Sequence, residues 1–251
     1  AGPGTGIALA FDANARAIAA QIGRLVRFDE SSSGAKLLNN ADWLGSLNWI
    51  EMLREIGPHF SINRMLTMDS VKGRMEHGGI TFLEFNYMIM QAYDFLHLHR
   101  SLGCALQLGG QDQWGNIVMG IELGRRTVGA ELFGLTMPLV TRADGGKFGK
   151  SEKGNVWLSA ERTAPYDFYQ FWRNCDDGDV RRFLGYFTFL AVSDLEQLTS
   201  QGGEALNYAK EVLAFEATAL VHGKAEAEQA RDSARKAFGV QHDVSGDAIP
   251  H

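Results

Sequence analysis

The sequence predicts an α/β layer fold with a largely parallel sheet, followed by an all-helical part. Three observations carry this reading. Strand-like runs alternate with helix-periodic ones up to about Leu158. From Ala164 to Ala237 every pattern is helical. Towards the end of the alternating part lies a loop, Gly145-Gly146-Lys147-Phe148-Gly149-Lys150-Ser151, that joins three glycines, two lysines and a hydroxyl.

The elements follow in order. Ala1 to Gly6 is Gly-rich and reads as a loose terminus or as a phosphate loop beside a strand. Ile18, Ile22, Leu25 and Val26 recur at helical spacing. Lys36 to Asn39 reads as a short buried strand. Leu47, Ile50, Leu53 and Ile56 mark a helix stopped by Gly57-Pro58. Thr81 and Glu84 form a capping box that opens a long helix to about His97. Ala105 to Leu108 is a strand ending in Gly109-Gly110, and a helix runs from near Gln113 to Arg126. A strand near Leu139 precedes the lysine loop. Pro165 suits a first helical turn, and Ser193 with Glu196 forms a second capping box. Gln241 to His251 reads as a loose tail.

Composition sets the outer limits. A chain of 251 residues can bury a sizeable core in one large domain or two smaller ones. Its net charge of -6 supplies no overall basic field, so any nucleic-acid contact must be local. Cys104 and Cys175 are too few for a disulfide framework and fit a reducing compartment. No apolar run reaches the roughly 20 residues of a membrane span, and no signal peptide is read at the start.

Three constellations carry chemistry. Tyr87, Gln91 and Asp94 fall at i, i+4 and i+7, so one helical face presents a phenol, an amide and a carboxylate. That stripe suits a wall for a small zwitterion, and also a solvated face. Leu108 to Asn116 lies at the carboxyl end of a predicted strand, where open α/β sheets bind ligands. There Asp112 could accept from ribose hydroxyls and Gln113 could read a neighbouring group; a turn with Asp112 as N-cap is the plainer alternative. In the lysine loop, glycines let amides approach an anion, and two ammonium groups can neutralise a shifting polyphosphate charge. It could also be an exposed turn. It is not a Walker A loop, since the glycine-to-lysine spacer is wrong.

The loop Lys147-Phe148-Gly149-Lys150-Ser151 resembles the lysine signature of class I aminoacyl-tRNA synthetases, in the variant of the bacterial-type tyrosyl-tRNA synthetases. Phe82 to Tyr87 with Gln91 to Phe95 is similar to that family's tyrosine-pocket helix. Leu106-Gln107 with Asp112 to Asn116 is similar to its adenosine- and tyrosine-contacting loop. Asn39-Asn40, Asp42-Trp43, His59 to Asn63, Phe133 to Thr136, Pro165-Tyr166 and Tyr169 to Trp172 follow in the same order. The likeness runs from about Asn14 to about Gly239.

The resemblance implies a Rossmann-like parallel-sheet catalytic domain, incomplete at its N-terminus, over residues 1–158. A helical domain would span 159–238 and a tail 239–251. It implies tyrosine contacts from Tyr87, Gln91, Asp94, Gln113 and Asn39, with Tyr87 and Gln91 on the ammonium and Asp94 on the phenol. Gln107, Gly110, Asp112, Phe148 and Gly149 would hold ATP. Lys147, Lys150 and Ser151 would act on the departing pyrophosphate. Rejection of phenylalanine is also implied, and tyrosyl-tRNA synthetases are the standard example of that discrimination. The expected substrates are L-tyrosine, ATP with Mg2+ and tRNA(Tyr), with no tightly bound cofactor and no protein metal site. The expected setting is a homodimer, off the membrane, in cytoplasm or mitochondrial matrix.

The chain departs from the family in places. It has no His-x-Gly-His signature, the first strand and the basic mobile loop are not found, and Gln111 replaces a small residue. No segment matches the small C-terminal RNA-binding module. Two explanations stay open: part of an ordinary ligase, inactive by itself, or a synthetase-derived RNA-binding or structural subunit.

Overall fold

The structure is a computed structural model that describes residues 3–237, except Asp144, Lys147, Glu152, Lys153, Gln201 and Gly202. For residues 3–12, Ser70, Lys150, Ser151 and Glu204 it describes the backbone alone. The expected tail from Gln241 lies outside the described residues. By internal contacts the chain forms two units, Leu38–Val140 and the remainder on either side of it.

Within Leu38–Val140, after α1 (Pro3–Ile22), come α2 (Ala41–Leu44), α3 (Trp49–Glu55), α4 (Ile62–Leu66), α5 (Asp69–Glu76) and α6 (Phe82–Leu102). Then β1 (Leu106–Gly110), α7 (Trp114–Val128) and β2 (Phe133–Met137) complete it. The capping box forms as predicted. Thr81 Oγ1 accepts from Glu84 N–H at 3.2 Å, and Glu84 Oε2 accepts from Thr81 N–H at 2.9 Å. The Thr81 amide and hydroxyl hold the Glu84 carboxyl below the ordinary carboxylate range. α6 runs one turn past His97 and ends at Gly103, whose φ of 70° needs glycine.

β1 and β2 are parallel, with Leu106 opposite Phe133 and Leu108 opposite Leu135. α7 connects them and packs on one face of the pair. Ile117 and Ile121 lie over Gly134, where an added Cβ would come within 2.5 Å of Ile117 Cγ2. α6 approaches α7 closely at Gly120, whose missing Cβ leaves room for Phe95. Met65, Val71, Met88, Ala92, Leu96, Met119 and Leu123 form the buried core. The other sheet face exposes Leu106, Leu108, Phe133, Leu135 and Met137.

Several expectations need correction here. The strand before the lysine loop is Phe133–Met137, not a run near Leu139. Pro138 has no N–H to donate to a ladder, so pairing stops before it. Lys36–Asn39 is irregular rather than a buried strand, and Leu37 is 54% exposed. Among the described residues no strand pairs with that segment, so its ladder has no partner. The stripe from Leu47 to Ile56 is not all core: α3 begins only after Asn48 caps it, and just Ile56 of the four is buried.

The second unit begins with α1. The Gly-rich start is helical from Pro3, neither a phosphate loop nor a loose end over those residues. Proline at a first turn and the six alanines from Ala8 to Ala19 favour that state. After Thr141 a small antiparallel pair, β3 (Lys150–Ser151) and β4 (Gly154–Asn155), closes the lysine loop. Then come α8 (Pro165–Arg173), α9 (Val180–Phe187), α10 (Val192–Thr199), α11 (Glu204–His222) and α12 (Lys224–Ala237).

α11 packs on α8 and α9, and α12 lies against α8 and α11. Ala227, Ala230 and Ala234 give α12 a small buried stripe that permits close approach. The predicted Ser193 capping box does not form. α10 starts after Ala191, which puts Ser193 inside the first turn, where its hydroxyl donates to Asp194 instead.

The contact division falls at Thr141, whereas sequence character changes at about residue 158. The reason is Phe148, which ties the lysine loop to the helices that follow. Its ring stacks on Phe187 at 5.2 Å and 8° and meets Phe183 at 5.1 Å.

Candidate functional site

α6 brings Tyr87, Gln91 and Asp94 onto one stripe, as their spacing requires. Tyr87 is exposed, while Gln91 and Asp94 are half-buried. The Asp94 carboxylate accepts two N–H donors from around α2: Trp43 Nε1 at 2.7 Å and Asn40 Nδ2 at 3.0 Å. The Trp43 ring in turn stacks on His97, one turn along α6, at 4.5 Å. Asn39 does something else. Its Oδ1 accepts from Ala41 N–H at 3.0 Å and shapes the entry to α2.

Sequence reasoning missed Asn40, Trp43 and His97 as the partners that set this carboxylate. The signal was present: an indole N–H seeks an acceptor when partly buried. Its distance in sequence, 51 residues from Asp94, hid the pairing.

The second group sits at the carboxyl end of β1. Gln113 Nε2 donates to Asp112 Oδ2 at 3.0 Å, and Asn116 Nδ2 donates to Gln113 Oε1 at 3.0 Å. Asp112 is not the N-cap of α7; that position is Gln113, which makes no side-chain cap bond. At Gly110 an added Cβ would lie 2.5 Å from Asp112 Oδ1 and 3.0 Å from Leu139 Cδ2. Glycine there lets both side chains lie close over the backbone. Gln107 Oε1 is buried without a donor among the described residues.

The lysine loop belongs to the other unit. Lys147 lies outside the described residues, and Lys150 and Ser151 are known here by their place in β3. Gly145 and Gly149 have φ of 78° and 80°, which L side chains rarely adopt, so these glycines are required by the turn. Phe148, a residue expected to hold ATP, packs its ring among Phe171, Trp172, Phe183 and Phe187. A cavity of about 530 Å³ opens beside it, lined among others by Gln170, Cys175 and Asp179. Burial pushes the Cys175 thiol up to about 11, so it is a protonated, unreactive group at neutral pH. Among the described residues no group of three or more His, Cys, Asp or Glu side chains could hold a metal ion.

Comparison with known proteins decides the family. Residues 9–239 match the class I tRNA synthetases (W and Y). The chain belongs to this family.

Among its class I synthetase relatives is the tyrosine–tRNA ligase of Bradyrhizobium diazoefficiens, 52% identical over 228 residues, which cover 90% of this chain and 55% of that protein. The tyrosine–tRNA ligase of Xanthobacter autotrophicus is 56% identical over 213 residues, 84% of this chain and 51% of that one. The chain thus spans about half the length of the curated relatives it matches. A crystal structure of a C-terminally truncated mitochondrial tyrosyl-tRNA synthetase from Coccidioides posadasii matches with a TM-score of 0.69 at 31% identity, covering 82% of this chain and 60% of that one. The synthetase likeness extends through both contact units, so the expected class I catalytic domain with following helices stands.

Proposed function

We propose that this chain carries part of a tyrosine–tRNA ligase. In the first step a tyrosine carboxylate oxygen attacks the α-phosphorus of ATP. A new P–O bond forms, the bond to the β-phosphate bridge breaks, and pyrophosphate leaves with its Mg2+. In the second, a terminal ribose hydroxyl of tRNA(Tyr) attacks the activated carbonyl and AMP leaves.

The observation that carries the reading is the state of Asp94. A carboxylate offers about four acceptor positions. Two are filled by the Trp43 and Asn40 N–H groups, which leaves capacity for a phenolic O–H. A ligand lacking that hydroxyl would cover this half-buried carboxylate without offering it a donor, and losing a hydrogen bond to water without replacing it is costly. Tyr87, Gln91, Gln113 and Asn39 are assigned to the rest of the amino acid. Gln107, Gly110, Asp112, Gly149 and the backbone of Phe148 are assigned to ATP, and Lys147, Lys150 and Ser151 to the pyrophosphate. Adenylation asks a protein for position and charge stabilisation more than for covalent help.

The proposed division is a catalytic part over 1–158, helices over 159–238 and a tail beyond. The proposed setting is a homodimer in cytoplasm or mitochondrial matrix. No helix among the described residues is long and apolar enough to cross a membrane. For the dimer we assign the apolar patch of Trp49, Ile50, Leu53, Phe82 and Leu83, which is exposed on α3 and the start of α6.

The deciding assay uses a chimera in which this chain replaces the matching segment of the Bradyrhizobium relative. Tyrosine-dependent pyrophosphate exchange should be retained. Asp94→Ala should bring the kcat/KM values for tyrosine and phenylalanine closer together. An unchanged ratio removes Asp94 from the site, and a chimera that folds but lacks exchange favours the alternative of a non-catalytic RNA-binding or structural subunit.

A further inference from the structure

Asp179, at 1% exposure, is the one fully buried charged side chain among the described residues. It ends the 3-10 turn Asp177–Asp179 and leads into α9. Buried carboxylates persist when paired and hydrogen-bonded. Here the partners reach far along the chain. Asp179 Oδ2 accepts the Ala143 N–H at 2.8 Å, across 36 residues. Asp179 Oδ1 pairs with the Arg182 guanidinium, one turn on, and the same Arg182 nitrogen donates to the Thr141 carbonyl. One ion pair therefore grips the chain on both sides of Arg142.

What it grips is the root of the lysine loop. Arg142 N–H donates to Gly146 O at 3.0 Å, and Gly145 N–H donates to Arg142 O at 2.9 Å. The turn thus closes on itself just before Lys147. Just after Lys147, Phe148 stacks on Phe187 of α9. The helix that begins at Val180 holds the chain before and after the first lysine.

We propose that Asp179 and Arg182 are positioning residues for the lysine loop, setting where its ammonium groups meet the polyphosphate. This rests on the function proposed above for Lys147 and Lys150. Preorganised charges stabilise a transition state without reorganising at the moment of reaction. A shift of about 1 Å in such a group can cost roughly 100-fold. If Asp179 served only as an acid at the start of α9, it would favour that helix through its dipole and the Ala143 bond would be incidental.

Two measurements test this. In the chain as it stands, Asp179→Ala should speed amide exchange at Ala143 and Gly145 and hasten tryptic cutting after Arg142, while amides of α9 and α11 keep their protection. In the chimera, the same change should lower kcat for adenylate formation by about 10- to 100-fold with the tyrosine KM unchanged. Asp179→Asn, which keeps an acceptor for Ala143, should recover part of the loss. Unchanged exchange at Ala143, or exposure of α9 and α11 along with the loop, overturns the clamp. A tyrosine KM that rises while kcat holds overturns the catalytic role. An unmutated chimera without activity counts against the function proposed above, and amide exchange then still decides the clamp.

Discussion

The Trp43 indole N–H donates to Asp94 Oδ1 at 2.7 Å, and the Trp43 ring lies on His97 at 4.5 Å. The carboxylate is therefore held from one side by a hydrogen bond whose donor is itself fixed by stacking. A rigid acceptor discriminates better than a mobile one, because a mobile group can turn to meet water when the matching hydroxyl is absent.

That arrangement makes a prediction at a residue expected to touch no substrate. In the chimera, Trp43→Phe keeps a ring on His97 and deletes the N–H. Preference for tyrosine over phenylalanine should fall about tenfold, in line with losing one bond to a charged group. Trp43→Ala should cost the same bond plus the ring, and lose stability as well. Paired kinetics and thermal melts separate the two effects; equal preference ratios for the unmutated chimera and the Phe variant would show that Asn40 alone suffices.

Much of the first unit was legible because its signals are local. The capping box at Thr81 needs residues three apart, and the stripe Tyr87-Gln91-Asp94 needs only helical periodicity. β1 and α7 were readable from an apolar run ending in two glycines. What escaped were choices set by distant partners. Phe133–Met137 pairs with β1, 27 residues earlier in register, so the strand lies before Pro138 rather than after it. Asn40 rather than Asn39 reaches Asp94, a distinction that periodicity does not make. The aromatic seat of Phe148 comes from four residues on α8 and α9, so a loop motif that looked like surface is anchored by its ring.

The capping box also gives a pH dependence. Glu84 accepts from Thr81 N–H and Oγ1 and pairs with Arg74, and its carboxyl is held below the ordinary range. A depressed folded-state value means the contribution is present above the unfolded value of about 4.3 and is lost as pH falls through the folded value. Melts of the chain from pH 7 down to about pH 3 should show Glu84→Gln least different from the unmutated chain at the acid end. A gap that stays constant with pH would assign the effect to helix propensity and not to charge.

Lys150 sits at the start of β3, next to Gly149 with its φ of 80°. If its ammonium meets charge that develops on pyrophosphate, its loss belongs in the rate and not in tyrosine affinity. Lys150→Ala in the chimera should slow tyrosyl-adenylate formation by about 100-fold or more, with tyrosine KM nearly unchanged. Pre-steady-state mixing with ATP measures this, and a rate equal to the unmutated chimera would reduce the loop to an exposed turn.

The last prediction concerns the apolar surfaces. Phe82 and Leu83 are 69% and 71% exposed at the start of α6, and Trp49 meets the Phe82 ring edge-on at 6.2 Å. Large apolar side chains clustered this way mark an interaction surface more often than a solvent-facing one. The sheet face of Leu106, Leu108, Phe133, Leu135 and Met137 is a second such surface, and parallel sheets are usually covered on both faces. The two should behave differently. A self-complementary patch gives a defined dimer, whereas a bare sheet face gives concentration-dependent association without a fixed stoichiometry. In light-scattering measurements of the chimera, Phe82→Glu with Leu83→Lys should turn a dimer into a monomer. Leu108→Lys with Leu135→Glu in the chain as it stands should suppress higher aggregates while leaving the dimer. A dimer that persists in the Phe82 and Leu83 variant would move the interface away from α6 and α3.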